Sequence, residues 1–319
     1  MVSKKYFLDL ILLKNRTMSK LWGIDLGGTK IEAAVLKSKD DPTPLVRKRI
    51  ETEAAKGYEH VLSNIKKLID LVAEEVGEHP SIIGIGTPGA IDPPTGLLKN
   101  SNSQAINKKP FKKDLEALLG IPTFMANDAN CFVLAEAKMG IVPEVDPEAQ
   151  VVFGVIMGTG CGGGIVVNGK VLNGKQGIGG EWGHNFLDAS GGPCYCGKTG
   201  CTETVISGTG LENYYEQLTG TRKRLKDILP AARSGEDENA VKTLDRLVHF
   251  FGLGISTIIN VLDPDVIVLG GGVGNVDELY TRGVEEAEKY TFNPRLETKI
   301  VRPKLGDSAG VFGAAFLCE

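Results

Sequence analysis

The sequence predicts an α/β protein made of two lobes of similar fold. Three observations carry this. The chain has 319 residues, enough for two domains of ~100–200 residues each. Residues 21–36 and 151–167 have the same form, an apolar run, a glycine turn and a second apolar run, so the chain reads as internally duplicated. Between and after these hairpins, strand-like runs alternate with helical periodicity, which is the pattern of α/β domains.

In chain order, the first hairpin turns at Gly27-Gly28, where glycine marks a tight tip. Residues 61–76 place Val61, Ile65, Leu68, Ile69, Val72 and Val76 at helical spacing and stop at Gly77, a C-terminal helix signal. Residues 82–86 read as a buried strand, 110–119 as a helix, 123–125 as a short strand, and 129–139 as a helix opening after Asn127-Asp128. Asp128 is thereby placed at a strand-to-helix junction. After the second hairpin, 211–232 and 239–261 are helical by period, 266–269 is a buried strand ending in Gly270-Gly-Gly272, and 310–317 is a small-residue helix expected to return to the first lobe. The expected domains are a leader over 1–20, a small lobe of 21–126 plus 304–319, and a large lobe of 127–303.

Hydrophobic residues make up 42% and charged residues 24%, which excludes general disorder. A net charge of −4 gives no chain-wide attraction to nucleic acid or anionic membrane. The N-terminal apolar run 6–13 is broken by Asp9 and is too short to span a bilayer, so a cytoplasmic protein with no membrane or nucleic-acid partner is expected. The 41 glycines are clustered, as where backbone approaches a ligand. Three of six cysteines fall between Cys194 and Cys201, which reads as metal before disulfide.

Asp25-Leu-Gly-Gly-Thr-Lys30 sets a carboxylate before a turn whose amides can converge on phosphate; alone it would read equally well as an ordinary hairpin turn. Gly158-Thr159-Gly160 supplies a second clamp, and Gly270, Gly271 and Gly272 a place for a nucleoside. Together they point to a nucleotide site. In that site Asp25 is placed to hold Mg²⁺, and Gly27, Gly28, Thr29 and Lys30 to hold phosphate oxygens.

The order of Asp25-x-Gly-Gly-Thr, Asn127-Asp-Ala-Asn130, Gly158-Thr-Gly160, Gly180-Glu-x-Gly-His184 and the Cys194 cluster resembles the ROK family (repressors, open reading frames, kinases) over residues 21–317. The resemblance implies an actin- and hexokinase-like (ribonuclease H-like) duplicated fold, two βββαβα lobes with ATP and sugar in the cleft between them. Lys99-Asn-Ser-Asn-Ser103, Ala126-Asn-Asp-Ala-Asn-Cys131 and Cys194-Tyr-Cys-Gly-Lys-Thr-Gly-Cys201 look most like the bacterial fructokinase (mannofructokinase) branch. The implied activity is ATP-dependent phosphorylation of a hexose at the 6-hydroxyl, fructose first. N-acetylglucosamine, glucose, mannose and allose are the alternatives, because kinases for these share the framework. Kinases of the family are often dimers, so a homodimer is expected.

His184, Cys194, Cys196 and Cys201 are spaced ten, two and five residues apart, a Cys₃His set suited to a closed, structural Zn²⁺. A hexose needs planar donors and acceptors from several loops; the resemblance assigns sugar contacts to Asn127, Asp128, Glu181, His184 and Glu203, and Gly89 is counted with them. It also implies that His184 faces zinc with one ring nitrogen and the sugar with the other. Trp182 reads either as a sugar platform or as packing. Asp128 is the expected general base; as an isolated residue it would read as a helix cap, and the family motif favours catalysis. Lys108, Lys109, Lys112 and Lys113 and the Arg222-Lys-Arg224 run read as solvated faces. A sugar-responsive repressor is the rival reading, disfavoured because 24 residues precede Asp25, fewer than a three-helix DNA-binding domain needs.

Overall fold

The computed structural model of the chain describes residues 20–101 and 103–319. The expected leader, but for residue 20, and Asn102 of the 99–103 motif lie outside the described residues. Two compact units emerge. One holds the described residues up to Ala135 together with Asn173–Ile178 and Leu305–Glu319; the other holds Glu136–Leu172 and Gly179–Lys304. The cut falls inside the helix Asp128–Lys138, nine residues beyond the expected boundary at 126/127. Cys131, in the first half of that helix, packs with Ala126 and Ala314 of the first unit, which keeps Asn127 and Asp128 in that unit.

The first unit is a five-stranded sheet of order β3-β2-β1-β4-β7. Its strands are β1 (Leu21–Leu26), β2 (Lys30–Leu36), β3 (Pro44–Glu51), β4 (Ile83–Thr87) and β7 (Thr123–Asn127); a small hairpin, β5 (Ala90–Ile91) with β6 (Leu98–Lys99), stands apart. The strands β1, β2 and β3 are antiparallel, whereas β4 and β7 run parallel to β1. The helix Tyr58–Val76 ends as the periodicity indicates, at Gly77 in the left-handed conformation, where glycine avoids the Cβ penalty. The apolar stripe of this helix, Val61, Ile65, Leu68, Ile69 and Val72, is buried with Ile24, Ile31, Val35 and Ile85 of the sheet. The final helix, Ala309–Phe316, lies close on β1 and β4. A Cβ on Gly23 would fall 2.3 Å from Val311 O and one on Gly84 1.7 Å from Ala314 O, so both strands need glycine where the helix backbone presses on them.

The second unit repeats the topology: β10 (Lys170–Val171), β9 (Cys161–Val167), β8 (Val151–Met157), β11 (Val266–Gly270) and β12 (Lys299–Val301), with β8-β9 antiparallel and β8-β11-β12 parallel. The helical reading over 211–232 is corrected to two helices, Gly208–Thr219 and Leu225–Ser234. Gly220, left-handed at φ 70°, ends the first, so a local backbone stop overrides the continuous apolar period. The helix Glu238–Leu262 is long and apolar enough to cross a membrane by length and composition. Its buried face, with Leu247, Phe251, Ile255 and Ile259, belongs to the core of this unit.

Candidate functional site

In the first unit the predicted phosphate turn is the β1-β2 tip. Gly27 N–H donates to Lys30 O at 2.9 Å, and Thr52 ties the turn from behind, its hydroxyl donating to Gly27 O at 2.7 Å and its N–H to Thr29 O at 2.8 Å. Gly28, Thr29 and Lys30 stay exposed, so their amides are available to a ligand.

Asp25 is half-buried between buried Ile24 and Leu26 near the end of β1, and its partners follow from register. Asp25 stands directly opposite Glu32 on β2, and Glu32 directly opposite Arg49 on β3. Like charges paired across strands are destabilising, and Arg49 offsets this by gripping buried Glu32 through Nε at 3.0 Å and an Nη at 2.6 Å; Arg47 pairs with the same carboxylate. Burial, then the charges of Asp128 and Glu32, push the Asp25 pKa up to about 6 against the pull of Arg49. A carboxylate held at that cost suits a cation ligand.

Asp128 opens the helix Asp128–Lys138, but it does not do the capping work. Asn127 Oδ1 accepts the Asn130 N–H at 2.8 Å, the N-cap bond, while Asp128 Oδ1 accepts only the adjacent Ala129 N–H at 2.8 Å. The side chain of Asp128 is solvent-accessible, yet the protein packed around it raises its pKa, with the Ala129 N–H pulling the other way. Asn127 therefore keeps its amide NH₂ for a ligand. Gly89, at φ 120°, holds a loop in which a Cβ would sit 2.5 Å from Lys99 O.

In the second unit the Gly158-Thr159-Gly160 turn is closed by Gly158 N–H to Gly160 O at 2.9 Å. Glu203, in the first turn of the helix Thr202–Ile206, reaches beneath it and accepts the Cys161 N–H at 2.9 Å. A Cβ on Gly160 would lie 2.5 Å from that carboxylate oxygen. Gly158, Thr159 and Gly272 line one cavity of about 780 Å³ with Gly208, Thr209, Glu212, Arg222, Arg224 and Lys226. Two of the predicted glycine motifs are thus brought together. Arg222 and Arg224, exposed as the solvated-face reading expects, also border this cavity: both reach Glu212, at 3.4 and 3.3 Å, and Leu225 N–H donates to the same carboxylate at 3.0 Å. The buried acid folds the 220–225 loop back over the cavity. Gly208 and Thr209, which sequence reasoning did not single out, reach the cavity by opening the helix Gly208–Thr219, capped by Ser207 Oγ accepting the Gly210 N–H at 3.1 Å. A groove of about 890 Å³ along the helix Tyr58–Val76 contains none of the predicted residues.

The ligand atoms of His184, Cys194, Cys196 and Cys201 all lie within 4.8 Å of one another. Cys194 Sγ is 3.6 Å from His184 Nδ1, and Cys196 Sγ is 3.6 Å from Cys201 Sγ. Tetrahedral zinc, with Zn–S ~2.3 Å and Zn–N ~2.0 Å, sets S···S near ~3.8 Å and S···N near ~3.6 Å. The donor set and these two separations fit that ion. Local turns build the site: Cys194 N–H donates to Lys198 O, Gly197 N–H to Cys194 O, and the loop Pro193–Thr199 closes as a bridge. Glu181 directly precedes the 3₁₀ turn Trp182–His184, and Cys201 directly precedes the helix carrying Glu203. The cluster consequently anchors both flanks of the candidate sugar residues in this unit. Trp182 is packing: 3% exposed, it donates from Nε1 to Gly162 O at 3.0 Å and meets Phe153 edge-on.

Two sheets of one topology, each tipped by a glycine turn, together with an acidic strand end, define the class as an α/β sugar kinase. The chain belongs to the ROK family, whose model matches residues 21–319. It is 37% identical to the N-acetyl-D-glucosamine kinase of Pasteurella multocida (strain Pm70) over 307 residues, covering 93% of this chain and 98% of the relative. The ROK hexokinase of Thermus thermophilus is similar in structure, with TM-score 0.84, 31% identity, and 94% and 97% of the two chains covered. The ROK family glucokinase of Streptomyces griseus, solved in complex with glucose and AMPPNP, gives TM-score 0.72 at 27% identity, with 94% of this chain and 99% of that chain covered.

Proposed function

We propose that this protein transfers the γ-phosphoryl group of ATP to the 6-hydroxyl of a hexose, with N-acetylglucosamine as the leading acceptor. The observation that carries the chemistry is the division of labour at the head of the helix Asp128–Lys138. Asn127 caps the helix, which leaves the Asp128 carboxylate, its pKa raised, to take a proton. In the proposed step Asp128 accepts the proton of the 6-hydroxyl as the oxygen–phosphorus bond forms and the bond from the γ-phosphorus to its bridging oxygen breaks.

Asp25 is the residue that would hold Mg²⁺, which when bound neutralises phosphate charge. The exposed amides from Gly28 to Lys30 and the Gly158-Thr159-Gly160 turn would orient phosphates, and Gly270, Gly271 and Gly272 would border the nucleoside. Glu181, His184 and Glu203 would hold sugar hydroxyls, with Zn²⁺ on His184, Cys194, Cys196 and Cys201 in a purely structural part.

The acceptor follows the Pasteurella relative, an N-acetylglucosamine kinase at 37% identity. Fructose, expected from the motif resemblance, is the second reading; none of the relatives named above is a fructokinase. A cytoplasmic homodimer is part of the same proposal, its dimer to be checked by light scattering. A coupled assay of ADP release with ATP and each of N-acetylglucosamine, fructose, glucose, mannose and allose tests the reading. Turnover of none of these hexoses would overturn it.

A further inference from the structure

Tyr195 stands between two members of the metal cluster, Cys194 and Cys196. Its side chain is 83% exposed, so packing does not hold it in place. Two contacts do. Its hydroxyl lies 2.9 Å from His184 Nε2, and its ring meets the His184 ring edge-on with centroids 5.1 Å apart. His184 Nδ1 faces Cys194 Sγ, the side on which a metal would sit. A neutral imidazole ligated through Nδ1 carries its proton on Nε2, so Nε2–H donates and the phenol oxygen of Tyr195 accepts. This nitrogen is the one the proposed function reserves for a sugar hydroxyl.

We infer that Tyr195 is a hydroxyl stand-in built into the sugar site, occupying His184 Nε2 in the sugar-free protein and displaced when a hexose hydroxyl takes its place. The inference rests on the sugar-kinase reading and deepens it. Three features make the exchange feasible. The acceptor chemistry is the same, hydroxyl oxygen for hydroxyl oxygen. The ring is open to solvent and can swing about its own side-chain torsions, whereas the backbone on either side is fixed by Cys194 and Cys196. Finally, the contact is a single hydrogen bond with one edge-on ring contact, weak enough for a substrate to replace. While it lasts it keeps the imidazole oriented, so the sugar meets a histidine already set. The cost is apparent affinity: every sugar bound must first break one protein hydrogen bond.

Tyr195→Phe removes the competing oxygen and keeps the ring. Titration calorimetry of zinc-loaded wild type and Y195F with N-acetylglucosamine and with fructose is expected to give a Kd roughly two- to tenfold lower in the variant, the range of one net hydrogen bond. The gain should fall on KM rather than kcat, with zinc content by mass spectrometry unchanged, a split that a merely structural tyrosine would not produce. Tyr195→Ala should shift Kd in the same direction. Equal or weaker sugar binding by Y195F overturns the inference while leaving the kinase reading intact. Absence of hexose binding by both proteins, together with absence of turnover in the hexose panel, overturns the kinase reading and this inference with it.

Discussion

Replacing Asp128 by Asn tests the chemistry most directly, because the structure separates the two jobs an acid at a helix start can do. Asn keeps a side-chain oxygen to accept the Ala129 N–H, now at 2.8 Å, and the true cap, Asn127 to Asn130 N–H at 2.8 Å, is untouched. The melting temperature should therefore not fall, because no cap is lost, and removing a carboxylate whose charged form the fold disfavours should raise it slightly. Turnover should fall ~10²–10⁴-fold, or about 3–5 kcal/mol of barrier, because an amide cannot take the proton. The pH profile supplies a second reading. The protein packed around Asp128 raises its pKa, so the base is lost on the acid side, and kcat/KM of the wild type should fall with decreasing pH at values above the ordinary carboxylate range. The variant should lack that limb. Asp25 should respond too, since the Asp128 charge helps hold its pKa near about 6; removing that charge should lower it, as carbon-13 carboxyl titration would read. Activity within a few-fold of wild type, with the acid limb retained, would refute the assignment of Asp128 as the base.

Asp25→Asn should abolish Mg²⁺-dependent turnover while raising the melting temperature of the metal-free protein at pH 7–8. With the folded pKa raised from 3.8 to about 6, the fold disfavours the charged form, and this destabilisation is present above about pH 6 and relieved as pH falls towards 3.8; an unchanged melting temperature in differential scanning calorimetry would contradict the burial argument. The purified protein should carry about one zinc per chain by mass spectrometry, and Cys196→Ser should lose both metal and sugar affinity by freeing His184 and the helix of Glu203; full sugar binding in metal-free protein would count against the cluster. Arg224→Ala, which removes a cation from the Gly158–Gly272 cavity, should raise KM for ATP a few-fold and leave sugar affinity unchanged in calorimetry; an effect on sugar alone would relocate that cavity's role.

What was legible in the sequence is what local chemistry decides. Glycine turns between apolar runs announce the two hairpins at Gly27-Gly28 and Gly158–Gly160, because only a few residue types permit so tight a tip. The cysteine cluster was legible for the same reason: its four donors fall within 18 positions, 184 to 201, and turns at Gly197 and Gly200 fold that short segment onto itself. The helix end at Gly77 follows from one residue's backbone freedom, and so does Gly220, whose stop signal the longer apolar period masked.

The tertiary structure decided everything that depends on register or on side chains distant in sequence. Asp25, Glu32 and Arg49 form a row only because β1, β2 and β3 pair as they do, and a shift of one residue would send the acids to the other face. Whether Asn127 or Asp128 caps the helix is a matter of side-chain direction, to which the Asn-Asp pair itself is silent. Trp182 could have faced sugar or core; the close approach of Phe153 and the Gly162 carbonyl chose the core. Arg222 and Arg224 reach the cavity of Gly158 from some 60 positions away because buried Glu212 folds their loop back. Sequence spacing fixes which residues can form turns and close local clusters, whereas long-range neighbours are selected by the packing of the whole unit, where burial and register act on all its elements at once.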